Sequence, residues 1–257
     1  MTVVAAIALA YLAIALAADL GQRSLIYFPT HDGADTPLSP WVVDGRIIGY
    51  CRAEADPVTV WLMTHGNAGQ ASHRDYVLGH IPATDSLYVL EYPGYGLREG
   101  RPSKESMDGA ASEAYQVLRK QFPHTPVGII GESIGSGPAS FLASAPVPPD
   151  KIVLVVPFDT LASVASEHMP FLPVRAMLKD TWDNVHALQG YSGPVDIYGA
   201  AGDQIIPWVH ARRLADAVPN AKFVLIEGGH NDWPSSEQVR IEGARPTHGS
   251  SSARGNP

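Results

Sequence analysis

Only one cysteine stands in 257 residues, so no internal disulfide can form, and Cys51 is expected to be an inert strand residue. Basic residues are also scarce. The 18 Lys and Arg are outnumbered by 26 Asp and Glu, and the formal net charge of −8 argues against a nucleic-acid-binding surface. The middle of the chain has no internal repeat and no Ser/Gly-rich linker, which leaves one large α/β domain as the reading. No Cys/His spacing resembles a zinc site, and neither a metal nor an organic cofactor is expected.

One long hydrophobic run is present. Val3 to Ala18 is apolar throughout, until Asp19 and Arg23 close it. Three readings fit: a signal anchor that associates the protein with a membrane, a cleaved signal peptide ending near Ala15-Leu16-Ala17 that leaves a secreted or periplasmic protein, and a soluble docking helix. No Lys or Arg precedes the run, which weakens the signal-peptide reading, and Arg23 after it favours a cytoplasmic domain. The expected organisation is an anchor or signal segment over 1–20, the folded α/β domain over 21–242 and a disordered tail over 243–257, where apolar content is too low to offset ordering entropy.

Between the ends, apolar runs alternate with helix-capable segments. Trp41-Val42-Val43 and Arg46 to Tyr50 flank Asp44-Gly45, which predicts a tight hairpin and an antiparallel start to the sheet. Further strands are expected at 58–63, 87–90, 127–130, 152–156, 195–198 and 223–226. Ser103 to Gln121 is the clearest helix, with Met107, Ala110, Ala111, Ala114 and Leu118 at three- and four-residue spacing. Such alternation predicts a mostly parallel twisted sheet with helices on both faces, and ligands in such sheets bind beyond the carboxyl ends of the strands.

Candidate chemistry collects at those ends. Gly131-Glu132-Ser133-Ile134-Gly135 follows a buried strand and precedes a helix, so Ser133 sits on a sharp turn where side chains at 131 and 135 would collide with their neighbours. A serine hydroxyl is a poor nucleophile without a base and an acid to orient that base. Asp203 follows the 195–198 strand and His230 the 223–226 strand, giving the order serine, acid, histidine. Asp159, just past the 152–156 strand, is the alternative acid, and Asp196 is read as structural. His210 falls on a helix and His248 in the tail, while His65, His168 and His186 precede the acid. Charge on a tetrahedral intermediate calls for backbone donors: Ile134, first after the serine, and Asn67 in the His65-Gly66-Asn67-Ala68-Gly69 loop, with Ala68 as the alternative.

These motifs together carry a family resemblance. Arg23 to Pro29 after an apolar helix, the His65 to Gly69 loop, Glu91-Tyr92-Pro93-Gly94-Tyr95-Gly96, the serine elbow, Gly202-Asp203 through Pro207 and Gly228 to Asp232 occur in this order. The chain resembles the α/β-hydrolases of the membrane-associated branch that includes the fungal bud-emergence-related protein and the mammalian protein depalmitoylases. The resemblance implies the α/β-hydrolase fold with a small cap over 158–189, bordered by apolar Met169 to Pro173, and packing of Tyr92 to Gly96 near the oxyanion loop in a structural role. It also implies cleavage of carboxylic esters or thioesters of a small-molecule or acylated substrate through an acyl-enzyme on Ser133. Amide or peptide hydrolysis with the same triad, and a silent membrane-tethered binding module, are the alternatives. One departure stands out: relatives end in an amphipathic helix over the sheet, whereas here only Ser235 to Ile241 could be helical, which would leave apolar sheet surface uncovered.

Overall fold

The computed structural model describes residues 2–32 and 35–243, so the tail expected to be disordered lies, except for Gly243, outside the described residues. Its first element is α1 (Val3–Ile26), a single helix that continues past the end of the apolar run. Thr2 caps it, accepting a hydrogen bond from the Ala5 amide.

Eight strands follow in one sheet: β1 (Ser39–Val43), β2 (Arg46–Arg52), β3 (Val60–Thr64), β4 (Ser86–Leu90), β5 (Val127–Glu132), β6 (Lys151–Val155), β7 (Val195–Ala200) and β8 (Ala221–Ile226). Their spatial order is β1-β2-β4-β3-β5-β6-β7-β8. β2 runs antiparallel to both β1 and β4, and the other pairings are parallel. The hairpin forms where expected, with Asp44 and Gly45 both at positive φ.

Strand alternation divides the core. Val60 and Leu62 face one side of the sheet and Trp61 and Met63 the other, all four fully buried. On the first side lie α2 (Lys104–Gln121), α3 (Ser136–Phe141) and, after α4 (Leu161–His168) and α5 (Val174–Met177), α6 (Asn184–Leu188) and α7 (Trp208–Ala217). Burial of Met107, Ala110, Ala111, Ala114 and Leu118 confirms the apolar stripe predicted for α2. A reciprocal capping box starts that helix: Ser103 Oγ accepts from the Ser106 amide at 3.1 Å, and Ser106 Oγ accepts from the Ser103 amide at 3.0 Å.

Cover on the second side is built differently. Two short 3₁₀ turns, Ala71–His73 and Asp75–Gly79, link β3 to β4, and the chain beyond His230 crosses the same face. The helix expected over 235–241 is absent. A 3₁₀ turn at Trp233–Ser235 is followed by an irregular strap in which Trp233, Val239 and Ile241 are buried, and the Ile241 amide donates to the His80 carbonyl. Three large side chains pinned by a backbone bond therefore seal surface that was expected to stand bare. Leu225 on β8 stays 41 % exposed.

Asp196, the oddity of β7, pairs with Lys151 of the neighbouring strand at 2.7 Å. Cys51 sits half-buried on β2, and burial pushes its thiol upward.

Candidate active site

The site begins where β5 ends. Ser133 has φ of +52°, a conformation costly for a non-glycine residue and sustained only where the surroundings dictate it. A Cβ added at Gly131 would approach the Ala139 Cβ to 2.6 Å, and one at Gly135 would run into the Thr64 carbonyl. The two glycines thus let α3 and β3 close on the turn. Thr64 Oγ1 secures it from below by donating to the Gly135 carbonyl at 2.8 Å, and Ser136 Oγ donates to the Ser133 carbonyl at 2.6 Å.

Residues 133, 203 and 230, far apart in the chain, meet here. His230 Nε2 lies 2.8 Å from Ser133 Oγ, and His230 Nδ1 lies 2.6 Å from Asp203 Oδ2. The free Asp203 oxygen, Oδ1, accepts from the amides of Ile205 and Ile206, each at 2.8 Å, so both oxygens are occupied and the carboxylate cannot swing. Its side chain is inaccessible, whereas 9 % of the His230 side chain remains open to solvent. Asp232 shapes the histidine turn, its Oδ2 accepting from the Gly229 amide at 2.7 Å while Gly228 takes φ of +93°.

Asp159 is turned elsewhere. Its Oδ1 lies 2.7 Å from His210 Nδ1, and the other ring nitrogen of His210 faces Glu167 at 3.3 Å. Burial works against charge on both members. The pairing prevails, holding the Asp159 carboxyl below its ordinary range and raising the His210 imidazole. His65 is buried, donating from Nδ1 to the Gly66 carbonyl at 2.7 Å. His168 reaches the Ile205 carbonyl, and His248 lies outside the described residues.

Asn67 lies in the loop after β3, and Ile134 follows Ser133 in the turn itself. The Asn67 side chain is fully engaged: Oδ1 accepts from the Phe28 amide at 3.0 Å and the Tyr95 hydroxyl at 2.9 Å, and Nδ2 donates to the Ile26 carbonyl. Ala68 next to Asn67 has φ of +59°. Tyr92 Oη donates to the His65 carbonyl at 2.8 Å, so the Tyr92 to Gly96 segment braces this loop, as the resemblance implied.

Glu132 escaped the sequence reading. Buried next to Ser133 in the chain, it accepts from the Gly66 amide (2.8 Å), the Tyr76 hydroxyl (2.9 Å) and the Trp233 indole (2.9 Å), with Arg74 at 4.0 Å. Burial alone would raise its carboxyl, but Arg74 and the three donors together bring it below the ordinary value. A carboxylate inside an otherwise apolar run was the available signal. Among the described residues, no group of three or more His, Cys, Asp or Glu side chains could hold a metal ion.

No family model matches the chain. The uncharacterized protein Rv2307c of Mycobacterium tuberculosis is 32 % identical over 228 residues, which cover 82 % of this chain and 81 % of that protein. The lysophosphatidylserine lipase ABHD12 of Danio rerio is 27 % identical over 186 residues, 65 % of this chain and 48 % of that one. Among solved structures, the Pyrococcus furiosus esterase Pf2001 superposes with a TM-score of 0.62 at 14 % identity, covering 81 % of this chain and 95 % of its own.

Proposed function

From the premise that the chain belongs to the same family as Rv2307c and has the α/β-hydrolase fold, we propose that it is a serine hydrolase cleaving carboxylic esters and thioesters through an acyl-enzyme on Ser133. The observation that carries this reading is the relay of 2.8 Å and 2.6 Å from Ser133 through His230 to Asp203. In the first step His230 Nε2 takes the hydroxyl proton as Ser133 Oγ attacks the carbonyl carbon, and Asp203 holds the tautomer and stabilises the imidazolium. Negative charge moves to the carbonyl oxygen, where the backbone amides of Ile134 and Asn67 receive it. Each such donor is worth about 10²- to 10³-fold. Collapse of the intermediate expels the alkoxide or thiolate, which takes the proton from His230. Water then repeats the sequence on the acyl-enzyme, releasing the acid and restoring the serine.

The named lipase and esterase among the similar proteins support ester cleavage. The motif resemblance to the depalmitoylase branch keeps acyl thioesters among the substrates to test. We take α1 as a membrane anchor because its apolar window has a mean hydropathy of 2.3 and no residue buried by the domain. Fractionation with and without residues 1–20 tests that part.

A fluorophosphonate probe tests the chemistry. Wild-type protein is expected to label and Ser133→Ala to remain unlabelled, with turnover lower by up to about 10⁶. Labelling that survives the substitution would overturn the assignment.

A further inference from the structure

Helix α1 does not leave the domain as a free tether. Tyr11 Oη donates to the Phe171 carbonyl at 3.0 Å, Gln22 Nε2 donates to the Met177 carbonyl at 3.2 Å, and Gln22 Oε1 accepts from the Lys179 amide at 2.7 Å. Arg23 forks onto buried Asp180 at 3.0 and 3.2 Å. Between helix and cap runs an open, mainly apolar crevice, walled by Ala18, Asp19, Gln22, Leu25 and Ile26 on one side and by Ala165, Met169 and Leu172 on the other. Both walls are tied to loops of the site. The Ile26 carbonyl holds Asn67, and His168, at the end of α4, donates to the Ile205 carbonyl two residues beyond Asp203.

Position along α1 sets depth. Tyr11 lies about 22 Å along the axis from Ile26 at 1.5 Å per residue, so the cap tip reaches far along the helix. Phe171, 86 % exposed, sits at that level beside a helix in whose apolar window no residue is buried. A bilayer that covers α1 must also cover Pro170 to Leu172. Apolar exposure on the helix and on the cap tip is one continuous surface, with the crevice opening between its halves.

We propose that the cap tip is seated in the bilayer together with α1, and that the crevice between them admits the fatty acyl chain of a membrane-resident ester sideways toward Ser133. This rests on the serine-hydrolase reading above. The acyl chain lies along α1 and its carbonyl end points to the Asn67 loop, so the membrane delivers substrate without releasing it to water.

Two measurements on the full chain in phosphatidylcholine vesicles test this. In a Cys51→Ser background, a fluorophore on Phe171→Cys is expected to be quenched by lipids brominated on the acyl chain, while one on Val147→Cys, exposed at the opposite rim, is not. Equal responses at the two positions overturn the seating; so does a Phe171 label shielded from both brominated lipid and aqueous iodide, which would mean a second copy covers the tip. For the crevice, Ala165→Trp and Ala18→Trp should each lower the ratio of kcat/KM for a palmitoyl ester over a butyryl ester by tenfold or more, since each methylene denied burial is worth about fourfold. If Ala165→Trp does not fold, Ala18→Trp on the exposed helix decides. Fluorophosphonate labelling runs alongside: unlabelled wild type defeats the hydrolase reading, whereas labelled variants with an unchanged ratio defeat the crevice alone.

Discussion

Replacing Glu132 with Gln keeps the shape of the side chain and removes its charge. Oε1 accepts from Tyr76 and Trp233 and Oε2 from the Gly66 amide, so three donors converge on two oxygens. Glutamine offers one carbonyl oxygen, and its NH₂ group would then face either the Gly66 amide or the Tyr76 and Trp233 donors. At least one buried donor loses its acceptor, a cost of about 1–3 kcal/mol. Arg74 also loses its compensating charge, and breaking such a buried pair costs about 3–5 kcal/mol when no water can substitute. The two penalties overlap because the groups are shared, and a net loss of about 3–5 kcal/mol is expected. Because Gly66 precedes Asn67, catalysis should fall in protein that is still folded. Urea titration monitored by tryptophan fluorescence measures the first effect, and ester hydrolysis below the transition the second. The reasoning also fixes a sign with pH: the Glu132 carboxyl is held below its ordinary value, so its contribution is full above that value and is lost as pH falls through the folded one. A Gln variant matching wild type in both midpoint and rate would refute this account of the elbow.

Asp203→Asn should retain the fold and lose about 10⁴ in kcat, because the amide favours the wrong imidazole tautomer; steady-state kinetics with a short ester checks it. Gly135→Ala places a methyl against the Thr64 carbonyl, and the expected outcome is a fall in unfolding midpoint together with loss of probe labelling at Ser133. His210→Gln should destabilise most between pH 3.8 and 6.5, the ordinary values of the two partners. The raised histidine contributes fully below 6.5 and loses its contribution as pH rises through its folded value, while the lowered Asp159 loses its own as pH falls through its folded value. Thermal unfolding of both proteins across pH 4–9 would show the gap closing toward the alkaline end, and a gap constant with pH would count against the pairing.

Much of the fold was legible because burial on both faces leaves strands as short apolar runs, as in Val127 to Ile130, and because Asp44-Gly45 admits few turns other than the one observed. The meeting of Ser133, Asp203 and His230 was equally readable, since strand ends in a parallel sheet share a rim. Contacts set by distant pairing were not legible. Trp233, Val239 and Ile241 have no helical or alternating spacing, so nothing local marked them as a cover. Nor was the use of the Asn67 side chain legible, taken up as it is by Ile26, Phe28 and Tyr95, partners that only the folded chain brings near. The boundary drawn after residue 20 likewise cuts a continuous helix whose Gln22 and Arg23 grip the cap.

The indole of Trp233 bonds the residue immediately before Ser133, and the strap continues to Ile241 before its own backbone is fastened at His80. During synthesis, β3 to β7 leave the ribosome long before this strap does, so the serine turn waits without its lower support and without His230. A ribosome stalled short of residue 241 would therefore carry a chain with most of its sheet but with the serine turn still unsupported from this side.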